Sequence, residues 1–285
     1  MKLLRYGNPG NEKPGCLDQE GNIRDLSHLI PDLANNALSP LKLDHLCNID
    51  IESLPIIKNN PRLGPCINQV GKFVCIGLNY IHHAKETGSD IPTEPIIFLK
   101  ATSAITGPND PIIIPIGSTH TDWEVELGVV IGQKGKHIKE EDALKYVAGY
   151  CVINDISERQ YQKINTSQWS KGKSCDTFGP IGPWLVTQDE IKDPQQLVLW
   201  LEVDGKRYQN SNTNDMIFSV KFIISYLSQF FTLYPGDVIS TGTPPGVGHG
   251  QKPTPVYLKP GQNVKLGIAG LGEQSHQTMA EEDMI

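Results

Sequence analysis

No stretch of this chain is apolar for long enough to cross a membrane. The longest apolar runs, such as Pro111 to Ile116, span a few residues, against about 20 for a spanning helix. Met1 to Gly10 lacks the apolar core of a signal peptide, and Lys2 and Arg5 are not followed by one. Cysteine is sparse. The six, at 16, 47, 66, 75, 151 and 175, form no C-x-x-C pair, so neither a disulfide frame nor a Cys/His zinc site is expected. These absences lead to the expectation of a cytoplasmic protein with reduced thiols. Positive charge is also short: the formal net charge is -7, which argues against a nucleic-acid partner or an anionic membrane surface. It does not exclude an anionic substrate, because a bound cation and a few basic residues can reverse the sign inside a cleft. The chain has no G-x-S-x-G elbow and no G-x-G-x-x-G fingerprint. Lys171-Gly172-Lys173-Ser174 invites a phosphate-loop reading, but Ser167 stands where that motif needs glycine. Asn165-Thr166-Ser167 is a glycosylation sequon that means nothing without a secretory route.

What is present is a globular composition over 285 residues, 38% hydrophobic and 20% charged, enough for one large domain with an appendage. The 27 glycines and 21 prolines favour a loop-rich, sheet-dominated fold over a helical bundle. Residues 1–65 read as a separate small unit. It has a strand at Lys2 to Tyr6, a hairpin over Pro14 to Asp25, and a linker punctuated by Pro55, Pro61 and Pro65. Residues 66–285 read as a second unit. Short strands are expected at Lys72 to Gly77, Pro95 to Leu99, Ile112 to Pro115, Gly149 to Ile153, Trp184 to Thr187, Leu197 to Val203 and Val238 to Thr241, with Asn263 to Ile268 as the last. Asp204-Gly205 is a hairpin turn. Ser219 to Phe231 is the best helix, with Val220, Ile223, Ile224, Leu227 and Phe231 at helical spacing behind Ser219 as N-cap. The pattern predicts an α+β, mainly β, roll or sandwich.

The chain is organised around Asp122-Trp123-Glu124-Val125-Glu126-Leu127-Gly128-Val129-Val130, in which acidic and apolar residues alternate. That is the period of a half-buried strand, with Asp122, Glu124 and Glu126 on one face. Two carboxylates at i and i+2 repel unless water or a cation separates them, and a hard cation such as Mg²⁺ prefers oxygen ligands. A solvated sheet face alternates in the same way. His83 and Glu86, three apart, face the same side of a helix. A histidine oriented by a carboxylate can serve as a general base, or the pair can be a surface contact. Asp155 closes an apolar strand and could be a turn cap. Arg159 could be a surface ion pair, and Lys173 a solvated lysine.

Taken together, five ordered blocks resemble the fumarylacetoacetate hydrolase family. They are Gly77-Leu78-Asn79-Tyr80 with His83-Ala84-Lys85-Glu86; Asp122 to Glu126; Asn154-Asp155-Ile156-Ser157-Glu158-Arg159; Lys171 to Thr177; and Gly242-Thr243-Pro244-Pro245-Gly246. The resemblance implies a mixed β-roll catalytic domain, a small N-terminal domain and a homodimer. It implies that Glu124, Glu126 and Asp155 hold Mg²⁺, Mn²⁺ or Ca²⁺, and that His83 and Glu86 form the catalytic dyad. It places Lys173 and Thr243 at the substrate and Gln162 in the pocket lining, with Arg159 beside them. Some members carry a further carboxylate ligand seven residues before the histidine; here Ile76 stands there, so three protein carboxylates are expected. The activity implied is hydrolysis of a C–C bond in a 2,4-dioxo acid, a small anionic substrate, with release of pyruvate. Gln168 to Lys173 and Glu12-Lys13-Pro14-Gly15 look like the branch acting on 2,4-dioxo-3-deoxy sugar acids, relatives of which are often labelled ureidoglycolate lyase. The same site could serve oxaloacetate decarboxylation, 2-oxo acid isomerisation or ureidoglycolate lysis, or a binding module that has lost turnover.

Overall fold

In a computed structural model, described for residues 1–86, 88–164 and 168–284, the chain is built on three sheets. Eleven strands form the largest. Across it the order runs Ile56–Ile57, Ile23–Asp25, Lys13–Leu17, Lys2–Tyr6, Gly179–Thr187, Val147–Asn154, Val125–Ile131, Val238–Ser240, Phe73–Gly77 and Ile96–Lys100, with Ile105–Thr106 added parallel to Gly179–Thr187. A second sheet orders Lys206–Asn212, Val198–Val203, Asn263–Ile268, Gly272–Ala280 and Ile112–Ile114. The third is a two-strand ribbon of Thr121–Asp122 and Ser157–Glu158. The sequon at 165–167 lies outside the described residues. Among the described residues, no helix is long and apolar enough to cross a membrane.

The strands of residues 1–57 enter the large sheet through Lys2–Tyr6, which pairs antiparallel with Gly179–Thr187. Leu3, Leu26, Leu33, Leu38 and Leu46 share a buried cluster with Cys151, Ile153, Ile181 and Val238 of the central strands. The other face of those strands packs on the second sheet and on the helix Val220–Phe230. There Val125, Leu127, Val129 and Ile131 join Leu199, Leu201, Ile223, Ile224, Leu227 and Leu266. This helix forms where its apolar spacing predicts. Ser219 caps it by accepting a hydrogen bond from Phe222 N at 3.2 Å, a contact whose loss costs about 1 kcal/mol. Asp204 and Gly205 both take positive φ, 49° and 77°, as the two-residue turn joining Val198–Val203 to Lys206–Asn212 requires.

Three expectations are corrected. The acidic strand is not half-buried: every residue of Val125–Ile131 is buried, and Glu124 and Glu126 are 4% and 2% exposed. Its second face meets the first cluster through Val130, while Gly128 lies against Cys151 and Ile153. Asp122 belongs not to this strand but to the two-strand ribbon, the ladder breaking at Trp123 and Glu124. Asn263–Ile268 is also not the last strand, since Gly272–Ala280 follows it and pairs with it.

Candidate active site

Val125–Ile131 and Val147–Asn154 run antiparallel, with Val125 opposite Asn154 and Glu126 opposite Ile153. The start of one strand therefore lies beside the end of the other. Just past the ladder, Asp155 N donates to Glu124 O at 2.9 Å. This pairing brings the carboxylates of Glu124, Glu126 and Asp155 together, with one oxygen from each within 4.8 Å of the others.

Each carboxylate is held by named donors. Lys173 Nζ, at the end of the short helix Ser170–Lys173, lies 2.6 Å from Glu124 Oε2 and 2.7 Å from Asp155 Oδ2. Lys100 Nζ donates to Asp155 Oδ1 at 2.5 Å and to Ile156 O at 3.1 Å. Arg159 NH2 lies 2.7 Å from both Glu124 Oε1 and Asp122 Oδ2. Glu126 Oε2 accepts from Ser240 Oγ at 2.6 Å and from Gly242 N at 2.8 Å. All of these side chains are buried.

Burial by itself would raise all these carboxyl pKa values, and the neighbours decide the outcome. At Glu124 the desolvation is overcome by Lys173, then Arg159, then His83, which together hold the group below its usual range. At Glu126, burial is reinforced by the Asp155 and Glu124 carboxylates, and the group is pushed well above that range. Burial works against the Lys173 charge, but Asp155 and Glu124 more than restore it. The donor set is all oxygen and buried, and Glu126 lacks the positive charge that would ionise it beside the other two. That chemistry fits a hard divalent cation.

His83 of the expected dyad lines the same cavity, and Glu86 stands behind it. His83 and Glu86 lie on the helix Ile81–Glu86, with His83 Nδ1 3.4 Å from Glu86 Oε2. Gly246 N donates to both Glu86 oxygens, at 3.0 and 3.1 Å. Gln162, Arg159, Thr243 and Ile76 also line the cavity; Gln162 Oε1 accepts from Arg159 NH1 at 3.0 Å. The Thr243 hydroxyl proton is committed to Val125 O at 3.0 Å and its oxygen accepts from Gln209 Nε2 at 2.8 Å.

Sequence reasoning missed several residues. Lys100 closes an apolar strand just as Asp155 does, and that signal could have found it. Asp122 collects Arg159 Nε at 2.8 Å, Gly248 N at 2.6 Å and His249 N at 2.9 Å, tying the loop after Gly246 to the site. Phe98 and Trp169, in edge-on contact at 5.5 Å, make an aromatic wall. Trp169 lies so close to Gly77 that any side chain there would strike it.

Residues 72–278 match the family described as Fumarylacetoacetate (FAA) hydrolase C-terminal. The chain belongs to the fumarylacetoacetate hydrolase family. A Burkholderia multivorans protein with a provisional hydrolase name is 62% identical over 280 residues, 98% of this chain and 99% of its own. Among solved structures, the fumarylacetoacetate hydrolase of Exiguobacterium antarcticum is similar at 34% identity and a TM-score of 0.85, covering 99% of this chain and 100% of that one. Maleylpyruvate hydrolase from Sphingobium sp. SYK-6, in complex with manganese (II) ion and pyruvate, is similar at 26% identity and a TM-score of 0.81, covering 98% and 99%. The mainly β, multi-sheet architecture described above is therefore that of the fumarylacetoacetate hydrolase family.

Proposed function

We propose that this protein is a divalent-metal-dependent hydrolase that cleaves the C3–C4 bond of a 2,4-dioxo acid and releases pyruvate and a second acid. The observation that carries this reading is one cavity in which Glu124, Glu126 and Asp155 converge and which His83, backed by Glu86, also lines. The manganese ion and pyruvate of the Sphingobium structure support it. Held by the three carboxylates, Mg²⁺, Mn²⁺ or Ca²⁺ would supply the electron sink that a 2-oxo carboxylate needs.

The residues do the rest. Lys173 sets a buried ammonium beside the carboxylates, where it would meet the substrate's carboxylate and 2-oxo oxygens. Arg159 and Gln162 shape the adjoining wall. With Nδ1–H turned toward Glu86, His83 Nε2 takes a proton from water, and the oxygen attacks C4. The long Nδ1 contact tightens as charge develops on the ring. The C3–C4 electron pair then leaves toward the 2-oxo group, C3 is protonated, and pyruvate departs.

Decarboxylation, isomerisation, ureidoglycolate lysis and a silent binding module need no water-activating base, so the dyad favours hydrolysis. The narrower form of the proposal, a 2,4-dioxo-3-deoxy sugar acid, rests on the Gln168 to Lys173 run, whose Trp169 lines the cavity. Division into a small unit 1–65 and a catalytic unit 66–285, a homodimer, a cytoplasmic location and the absence of nucleic-acid or membrane partners belong to the same proposal. The test is pyruvate release from a panel of acylpyruvates and dioxo sugar acids. Release that stops with chelator and returns with Mg²⁺ is expected; no release from any member would overturn the reading.

A further inference from the structure

Asp122 is fully buried and does not itself line the cavity, yet both its oxygens are taken by groups that shape it. Oδ1 accepts from Trp123 N at 2.8 Å and from Gly248 N at 2.6 Å. Oδ2 accepts from His249 N at 2.9 Å and from Arg159 Nε at 2.8 Å, with Arg159 NH2 2.7 Å away. Hydrogen bonds to an ionised acceptor are about twice as strong as neutral ones. One carboxylate thus anchors the turn Gly248–Gly250.

That turn closes on Glu86. Gly246 N, two residues before it, donates to both Glu86 oxygens, and Gly246 O accepts from Trp123 Nε1 at 3.1 Å, so residue 246 is fixed on both sides. At the far end of the turn, a Cβ on Gly250 would fall 2.5 Å from Glu86 Cδ and 2.8 Å from its Oε2. Gly250 has no left-handed φ to account for it; its missing side chain leaves room for that carboxylate. Oε2 is also the oxygen that faces His83 Nδ1.

We infer that Asp122 is a positioning residue for the dyad: by pinning the turn Gly248–Gly250 it sets where Gly246 N and Gly250 hold the Glu86 carboxylate, and so which nitrogen of His83 carries the proton. The same carboxylate fixes the Arg159 guanidinium, so the Arg159 wall and the base share one anchor. Asparagine at 122 would keep the size of the side chain but turn one acceptor into a donor aimed at N–H groups, and buried donors would lose their partner. The placement of the proton stands on geometry alone; its effect on turnover rests on the hydrolase reading.

The test is long-range ¹H–¹⁵N NMR of the full chain, labelled at the histidine nitrogens, in alkaline buffer. The His83 signals are assigned by their loss in His83→Gln. Wild-type His83 should show the Nδ1–H tautomer, because the tautomer follows the hydrogen bond that the ring makes. Asp122→Asn and Gly250→Ala should each shift the ring toward Nε2–H. An Nε2–H ring in the wild type, or the wild-type tautomer in both variants, overturns the inference. If Asp122→Asn does not fold, Gly250→Ala decides alone, and an unchanged tautomer there overturns it.

Turnover gives the second readout. With saturating Mg²⁺, kcat for pyruvate release from the panel member cleaved fastest should fall about tenfold in Asp122→Asn, within the range of coupled neighbours. In a Glu86→Ala background the same substitution should change kcat by less than about twofold. Equal losses in both backgrounds would mean that Asp122 does not act through Glu86. If the tautomer shifts as expected while the wild type releases pyruvate from no panel member, the positioning role stands and only the hydrolase reading falls.

Discussion

The site has two halves, and they are built differently. The carboxylate half comes from the central strands of the eleven-stranded sheet. Its oxygens are fixed by Lys100, Lys173, Arg159, Ser240 and the Gly242 amide. The dyad half comes from the six-residue helix Ile81–Glu86. Asn79 anchors the start of that helix, with its amide bonded to Phe218 O, Thr241 O and Phe218 N. Glu86 at its end accepts from the Gly246 amide. The cavity between the halves has about 20 Å³ of free space, room for about one water. The carboxylates of the sheet are locked in buried ion pairs, whereas Glu86 of the helix is held by hydrogen bonds from the Gly246 amide. On the proposed mechanism, charge stabilisation is preorganised in the sheet, and the proton-handling group sits on the short helix.

Substitutions in the two halves should therefore fail in different ways. The largest effect is expected for Glu124→Gln, which removes a ligand charge and leaves Lys173 and Arg159 short of a buried partner. Mg²⁺ affinity measured by calorimetry should fall by about 100-fold or more, since even supporting groups around metal ligands are worth about 10- to 100-fold. Wild-type affinity would contradict the ligand assignment. His83→Ala should leave Mg²⁺ affinity within about twofold of wild type while pyruvate release falls by about 10² or more, the usual contribution of a general base. Unchanged turnover would remove the dyad from the mechanism. Equal loss of metal affinity in both variants would erase the distinction between the halves.

Much of this division is legible in the chain, and what is not has physical causes. The helix Val220–Phe230 and the Asp204-Gly205 turn depend on local spacing and φ, and they form where expected. The gathering of Glu124, Glu126, Asp155 and Lys173 was reached through ordered blocks, because spacing alone cannot say which strand ends meet. The period-2 alternation does not reveal full burial, because a polar cavity and open solvent impose the same pattern on a strand; only the packing on both faces distinguishes them. The role of Asp122 depends on backbone amides of Gly248 and His249, which carry no side-chain signal. The final strand, Gly272–Ala280, carries no apolar alternation, because its inward positions are Gln274, His276 and Thr278, all buried.

That strand supplies the test with the smallest expected effect on the site, because it loads the scaffold and leaves both halves alone. His276 is fully buried, and its ring nitrogens lie 2.7 Å from Asp110 O and 3.0 Å from Gln274 Oε1. Gln274 cannot turn to offer an N–H, because its amide nitrogen donates to Val152 O at 2.8 Å and to Gly182 O at 3.2 Å. Burial pushes His276 from 6.5 down to about 4, although the Asp110 carbonyl pulls the other way. A histidine depressed on folding contributes stability that is complete above its unfolded value and is lost as pH falls from 6.5 through 4. Between pH 7.5 and pH 5 the unfolding free energy from urea titration should drop by about 2 kcal/mol on this account. His276→Gln should lack that slope, and pyruvate release at pH 7.5 should be unchanged in it. A wild-type profile as flat as the variant's would mean that the ring keeps its second proton for Gln274 Oε1, and that two fixed acceptors outweigh burial in setting its charge.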